Sequence, residues 1–200
     1  MKLNKLAVTL TGLGLSISAI SAQAAANGLY VGAGIGQSNV DYTVSNQNLS
    51  PGDRSDHSGL AWTVNGGYQL NPNFALQMDY IDYHDAAFKN ILGVLDAKAT
   101  YQQGALDFVG KVMYPFGNGF NIFATGGLAY VSLDRSTNST AKAAGITLND
   151  KDNIRPTYGV GAGYDFYPGW SALVSWSQIP SGGSIETSNY FGAGVAYHFG

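Results

Sequence analysis

From Leu29 onward the chain alternates. Leu29, Val31, Ala33 and Ile35 share one parity, and Tyr30, Gly32, Gly34 and Gly36 the other, which is the period of a strand with one apolar face. The same rhythm runs through Leu60, Trp62, Val64, Tyr68 and Leu70, then through Phe74, Leu76, Met78 and Tyr80. It returns in Leu106, Phe108, Val112 and Tyr114, in Phe120, Ile122, Ala124, Leu128 and Tyr130, and in Tyr158, Val160, Ala162, Tyr164 and Phe166. Trp170, Ala172, Val174 and Trp176, then Phe191, Ala193, Val195, Tyr197 and Phe199, complete the series. The pattern predicts about eight strands of roughly 9–13 residues, the length with which a tilted strand crosses a bilayer.

The connections alternate as well. Those after Leu70, Tyr114 and Tyr167 are tight turns, with "NPN", "PFGNG" and "YPG" at their centres, and those after Tyr42, Tyr83, Leu133 and Trp176 are long and polar. Short turns at one end and long loops at the other are the mark of an all-β, eight-stranded antiparallel up-and-down transmembrane β-barrel, with short periplasmic turns and longer outer loops. Closure removes the unpaired edges that hydrocarbon would not tolerate. A soluble barrel with its apolar faces inward would need charged outer faces, and the opposite faces here carry Gly, Ala and Thr instead. Two aromatic girdles are expected at the interfaces. Tyr68, Phe74, Tyr114, Phe120, Phe166, Trp170 and Phe199 fall at the short-turn ends, and Tyr80, Tyr130 and Trp176 toward the long loops.

Composition sharpens this picture. Of 200 residues only 12% are charged, 27 are glycine, 13 are tyrosine and none is cysteine, against roughly 25% charged residues in an average domain. A disulfide scaffold, a thiolate metal site and a Cys nucleophile are excluded, and no basic cluster points to nucleic acid. The opening residues carry Lys2 and Lys5, an apolar run from Leu6 to Ile20, and two A-x-A cleavage sites ending at Ala24 and Ala26. They read as a secretory signal peptide over 1–24, cleaved after Ala24 or Ala26, with the barrel domain at 27–200.

The repeated glycines, Gly32, Gly34 and Gly36, Gly159, Gly161 and Gly163, and Gly192 and Gly194, lie opposite the apolar stripes. None forms a GxGxxG entering a helix, so a dinucleotide cradle is not indicated. An eight-stranded lumen is only just wide enough for side chains. A glycine wall leaves room there for Tyr101, Gln103, Lys111 and Phe123.

The hairpins "GGYQLNPNFALQMDY" and "YQQGALDFVGKVMYPFGNGFNIFATGG", with the ending "GVAYHFG", resemble the transmembrane domain of OmpA-like outer-membrane proteins. The resemblance covers the mature chain and implies a polar, largely occluded interior with roles in envelope integrity and surface contact. OmpA itself has a periplasmic peptidoglycan-binding domain after its barrel, a tether not expected here. Gln77 stands where the family usually has a lumen carboxylate, and Leu173 where its seventh strand often has an arginine, which implies a thinner or rewired charge network.

Asp79, Asp107, Lys111 and Asp165 are the expected lumen charges. A buried lone lysine is costly, so Lys111 is expected against Asp79 or Asp165 as a plug; the alternative is a gate. His57, His84 and His198 have no same-face serine partner of the kind a lipid-editing enzyme needs, and no enzyme is expected. Asn149, Asp150, Asp152 and Asn153 carry Ca²⁺-type oxygens without EF-hand spacing. No cofactor or metal is expected. In "DAAFKNILGVLDAKA" the residues Phe88, Ile91, Leu92 and Leu95 have the spacing of one helical face, available as a lid, a lipid-dipping helix or a partner site. The expected partners are outer-membrane lipids and lipopolysaccharide, the barrel-assembly machinery through Tyr197-x-Phe199, and a surface or host ligand through the outer loops. The expected function is a structural, surface-facing outer-membrane barrel, the alternative a narrow pore for ions or small solutes.

Overall fold

The computed structural model describes residues 27–40, 58–83, 86–89, 98–137, 143, 151–182 and 186–199. The signal-peptide reading therefore lies outside the described residues. Nine strands are present among them: β1 (Gly28–Val40), β2 (Ser58–Asn71), β3 (Phe74–Asp82), β4 (Ala86–Lys89), β5 (Lys98–Gly117), β6 (Phe120–Thr137), β7 (Lys151–Tyr167), β8 (Trp170–Ile179) and β9 (Ser188–Phe199). Every pairing is antiparallel, and β3 pairs with β5 to close an eight-strand ring, with β4 as a short addition on β5 above the end of β3.

Three turns set the register at one end. The Asn71 side-chain oxygen accepts from the amides of Asn73 and Phe74 at 2.8 and 2.9 Å, so the side chain supplies the acceptor that folds the turn. Asn118 and Gly119 both have positive φ, 53° and 82°, as an Asn-Gly hairpin turn with the right twist requires.

The strands are unequal, which the alternation did not foretell. β5, β6 and β7 run to 20, 18 and 17 residues, well past the outer aromatic level. From Leu106, which pairs with Tyr130, to Lys98, which pairs beyond it with Lys89 of β4, the ladder extends roughly 25 Å. The apolar-to-polar change that marked a strand end in the sequence marks instead the point where the ladder leaves the membrane. The helical expectation at Phe88 is corrected by β4, where Phe88 pairs with Ala99. Four-residue spacing fits a short strand whose backbone partner decides the conformation. Ile91, Leu92 and Leu95 lie outside the described residues.

Leu29, Val31, Ile35, Leu60, Leu76, Phe108, Leu128, Val160 and Phe191 are all outward and exposed, a surface that only a lipid solvent makes stable. The polar-interior expectation holds for only part of the barrel. Its outer end is filled by an apolar cluster in which Val40, Ile81, Tyr83, Val131, Leu133, Ile179 and Tyr190 are buried together. Each of these keeps the inward parity of its strand, Tyr83 just beyond the end of β3, so the cluster fills the outer end of the interior.

Candidate functional site

Below the apolar cap lies a cavity of about 600 Å³. Its lining runs from Asn27, Pro72, Pro115, Tyr167 and Pro168 at the short-turn end up to Asp107, Thr157 and Tyr190. It is a cup, open at the short-turn end and blind toward the loops.

The walls of this cup are built in pairs. Phe123 on β6 stands directly across from Gly161 on β7, Asn121 from Gly163, and Thr125 from Gly159. Asn65 stands across from Gly32 and Tyr30 from Gly67. A β-carbon on Gly161 would strike the Phe123 ring, and one on Gly67 the Tyr30 ring. Each glycine is the space its neighbour occupies. Gly34 and Gly36 meet Gly194 and Gly192 across the β1–β9 seam. On β8, Ser175 and Ser177 fill the same row beside Gly161 and Gly159, so β7, β8, β9 and β1 make one small-residue half of the tube.

Asp79, Asp107, Lys111 and Asp165 all line the cup. Register, however, sets Asp79 opposite Asp107 and Lys111 opposite Ala75. The expected ion pair gives way to ring faces: the Lys111 ammonium lies 4.1 Å from the Phe123 ring centre and 5.6 Å from that of Tyr30. Asp79 and Asp165 act on it through the field. Such cation–π contact is worth up to about 2 kcal/mol when desolvated.

Gln77, where the resemblance implied a carboxylate, makes a relay. It accepts from the Tyr30 hydroxyl at 2.6 Å and donates to Asp79 Oδ1 at 2.7 Å. Thr157 donates to Asp107 Oδ2 at 2.9 Å, and Ser171 to Asp165 Oδ1 at 2.6 Å. His198, across from Tyr30, stacks on it with ring centres 5.2 Å apart. Leu173 lines the cup where the resemblance implied a lost arginine. Among the described residues, the buried side-chain polar atoms without a partner are Asp107 Oδ1, the Tyr83 hydroxyl and Asn65 Oδ1, the last turned toward Gly32.

At the outer end two features escaped the sequence reading. Gln103 Nε2 donates to Ser188 Oγ at 2.6 Å, both residues buried. Arg155 Nε and Nη2 donate to the Pro180 carbonyl at 3.3 and 3.2 Å, and Nη2 also to that of Ser181 at 2.5 Å. Parity could have flagged Arg155, which shares its face with Thr157 and Gly159; nothing local could have found its acceptors.

The girdle residues sit on the outward face. Tyr68, Phe74, Tyr114, Phe120, Phe166, Trp170 and Phe199 ring the short-turn end, exposed. Phe120 packs on Tyr164 at 4.5 Å, Trp170 on Tyr197 at 5.1 Å and Tyr114 on Phe116 at 5.1 Å, pairings that the sequence reading did not give. Toward the loops Tyr80 packs on Trp62 at 5.4 Å and Trp176 on Tyr158 at 6.0 Å, with Tyr130 at similar height across β5 from Tyr80.

Asp152 and Asn153 are consecutive in β7 and so point to opposite faces, which parts the suggested loop oxygens; Asn149 and Asp150 lie outside the described residues. Among the described residues no three His, Cys, Asp or Glu side chains converge on a metal position.

A closed eight-strand tube with an uncharged lipid belt and a blind polar cup is a small transmembrane β-barrel. The chain belongs to the outer membrane protein beta-barrel domain family, whose pattern matches residues 9–199. An uncharacterized protein of Coxiella burnetii is 29% identical over 150 residues, 62% of this chain and 59% of that one, so the match spans little more than half of the relative. OprG, an outer membrane protein of Pseudomonas aeruginosa, superposes with a TM-score of 0.62 at 14% identity, over 89% of this chain and 100% of that one. Ail, the attachment invasion locus protein of Yersinia pestis solved with a heparin analogue, gives 0.56 at 11% identity, over 88% and 100%. At such identities these likenesses establish the fold alone.

Proposed function

We propose that the protein is a non-conducting outer-membrane barrel that anchors a surface-exposed hairpin, with its structural role in the envelope and its contacts outside made by the elements beyond the outer girdle. Export by the 1–24 leader, insertion by the assembly machinery through the terminal aromatic pattern, and an annulus of outer-membrane lipid and lipopolysaccharide belong to this reading. The observation that carries it is the apolar cap: Ile81, Tyr83, Val131, Leu133 and Ile179 fill the tube above the cup, and a dry constriction opposes ion passage. The tall β5–β6 ladder supports display, because it projects rigid backbone past the membrane. No catalytic step enters this reading.

The second reading, a narrow pore, is favoured by the cup itself, which already reaches from the short-turn mouth to Tyr190. Conductance of the refolded protein in a planar bilayer separates them. The expected result is a silent wild type and discrete openings in an Ile81→Ser, Leu133→Ser double variant that wets the cap. Openings in the wild type would put the pore first.

A further inference from the structure

The blind end of the cup holds an electrostatic arrangement that its own residues leave incomplete. Asp79 and Asp107 are exact cross-strand partners with both side chains inward, which brings their β-carbons to about 5 Å. Like charges so placed repel, the more strongly as burial withdraws them from solvent. Each carboxylate has one hydrogen-bond donor, Gln77 for Asp79 and Thr157 for Asp107. Asp107 is only 3% exposed, and its Oδ1 has no partner.

A second and independent observation sits directly above. Tyr83 is 2% exposed, the largest fully buried side chain among the described residues, and its hydroxyl has no partner either. Its backbone amide donates to the Gln103 carbonyl at 3.0 Å, which sets Tyr83 two inward positions beyond Asp79 and Gln103 two beyond Asp107. The hydroxyl therefore belongs to the same inward rows as the carboxylate pair, at the level where the apolar cap begins. Among the described residues the nearby cation does not complete the set, because the Lys111 ammonium rests on Phe123 and Tyr30 lower in the cup.

We propose that the blind end of the cup binds a hard divalent cation, Ca²⁺ or Mg²⁺, between the carboxylates of Asp79 and Asp107, with the Tyr83 hydroxyl oxygen as a third ligand. All the donors are oxygen, which selects hard cations over zinc or copper. Two carboxylates and several retained waters are a common shell for such ions. The charge of the ion cancels that of the pair, and the cup supplies the entry path from the short-turn side.

Isothermal titration of the full refolded chain with CaCl₂ and MgCl₂, in zwitterionic micelles free of lipopolysaccharide, tests this. The expected result is one equivalent bound per barrel. Binding should weaken at least about tenfold in Asp107→Asn and in Asp79→Asn, and less in Tyr83→Phe. Asp152→Asn, on the outer part of β7, should leave it unchanged. Each variant is first checked for the heat-modifiable migration of a folded barrel, and if one carboxylate variant does not fold the other decides. No binding by wild type, or binding indifferent to both carboxylate variants, overturns the site. So does a wild type that binds no cation while Asp107→Asn raises its unfolding midpoint, since a shared proton would then account for the pair.

Discussion

Gln103 reaches across the tube to Ser188. β5 and β9 stand four places apart around the eight-strand ring in either direction, so this 2.6 Å hydrogen bond ties opposite walls together under the loops. Ser188 also donates to the Glu186 carbonyl at 3.2 Å, which aims its lone pair at the amide. Ser188→Ala strands a buried amide and should cost about 1–3 kcal/mol, whereas Gln103→Leu, which removes the polar group itself, should cost less. Urea titration of the refolded barrel, followed by tryptophan fluorescence, reads the difference.

Two glycines one strand apart contrast, Gly161 in the cup wall and Gly126 on the outward face of β6. At Gly161 an added methyl meets the Phe123 ring and the Val174 carbonyl, while at Gly126 nothing lies within 4 Å. Gly161→Ala should destabilise by about 1–3 kcal/mol, and Gly126→Ala should be neutral or mildly stabilising because alanine loses less freedom on folding. In a double-mutant cycle, Phe123→Leu should recover part of the Gly161→Ala loss.

Arg155 holds the chain at Pro180 and Ser181 by three hydrogen bonds to two carbonyls. Its guanidinium occupies the space a side chain at Gly182 would need. Arg155→Ala should release this segment, seen as a several-fold faster cut near Gly182 by protease added outside proteoliposomes, with the transmembrane core intact. Arg155→Lys should restore little, since an ammonium cannot span both acceptors with a planar fork.

On the proposed reading the closure of this tube is the apolar cap rather than Lys111. Lys111→Met should leave the wild-type conductance trace unchanged, because the cap above it remains apolar and filled. Current in Lys111→Met alone would move the barrier from the cap to the cup.

The ring of strands was legible because a lipid solvent imposes period two without exception, and tight turns announce themselves in Asn, Pro and Gly. What the sequence withheld was register. One strand read alone cannot say that Asp79 faces Asp107 rather than Lys111, since both pairings keep every side chain on the correct face. The cap was hidden for a related reason. Val131 and Leu133 share the inward parity of Phe123 and Thr125, but apolar residues near a loop look like the end of a stripe rather than the lid of a tube. At Phe88 a four-residue match to helical spacing competed with backbone pairing on β5, and the pairing prevailed.

A cup open on one side only is electrically part of the compartment it opens to. Polar-lined space carries little of any potential applied across the membrane, so in the proposed closed barrel the voltage falls chiefly over the apolar layer that holds Ile81 and Ile179. The Asp107 carboxyl group, just beneath that layer, sits where the field begins to steepen, and breakdown under strong polarisation should start there rather than at the wide mouth.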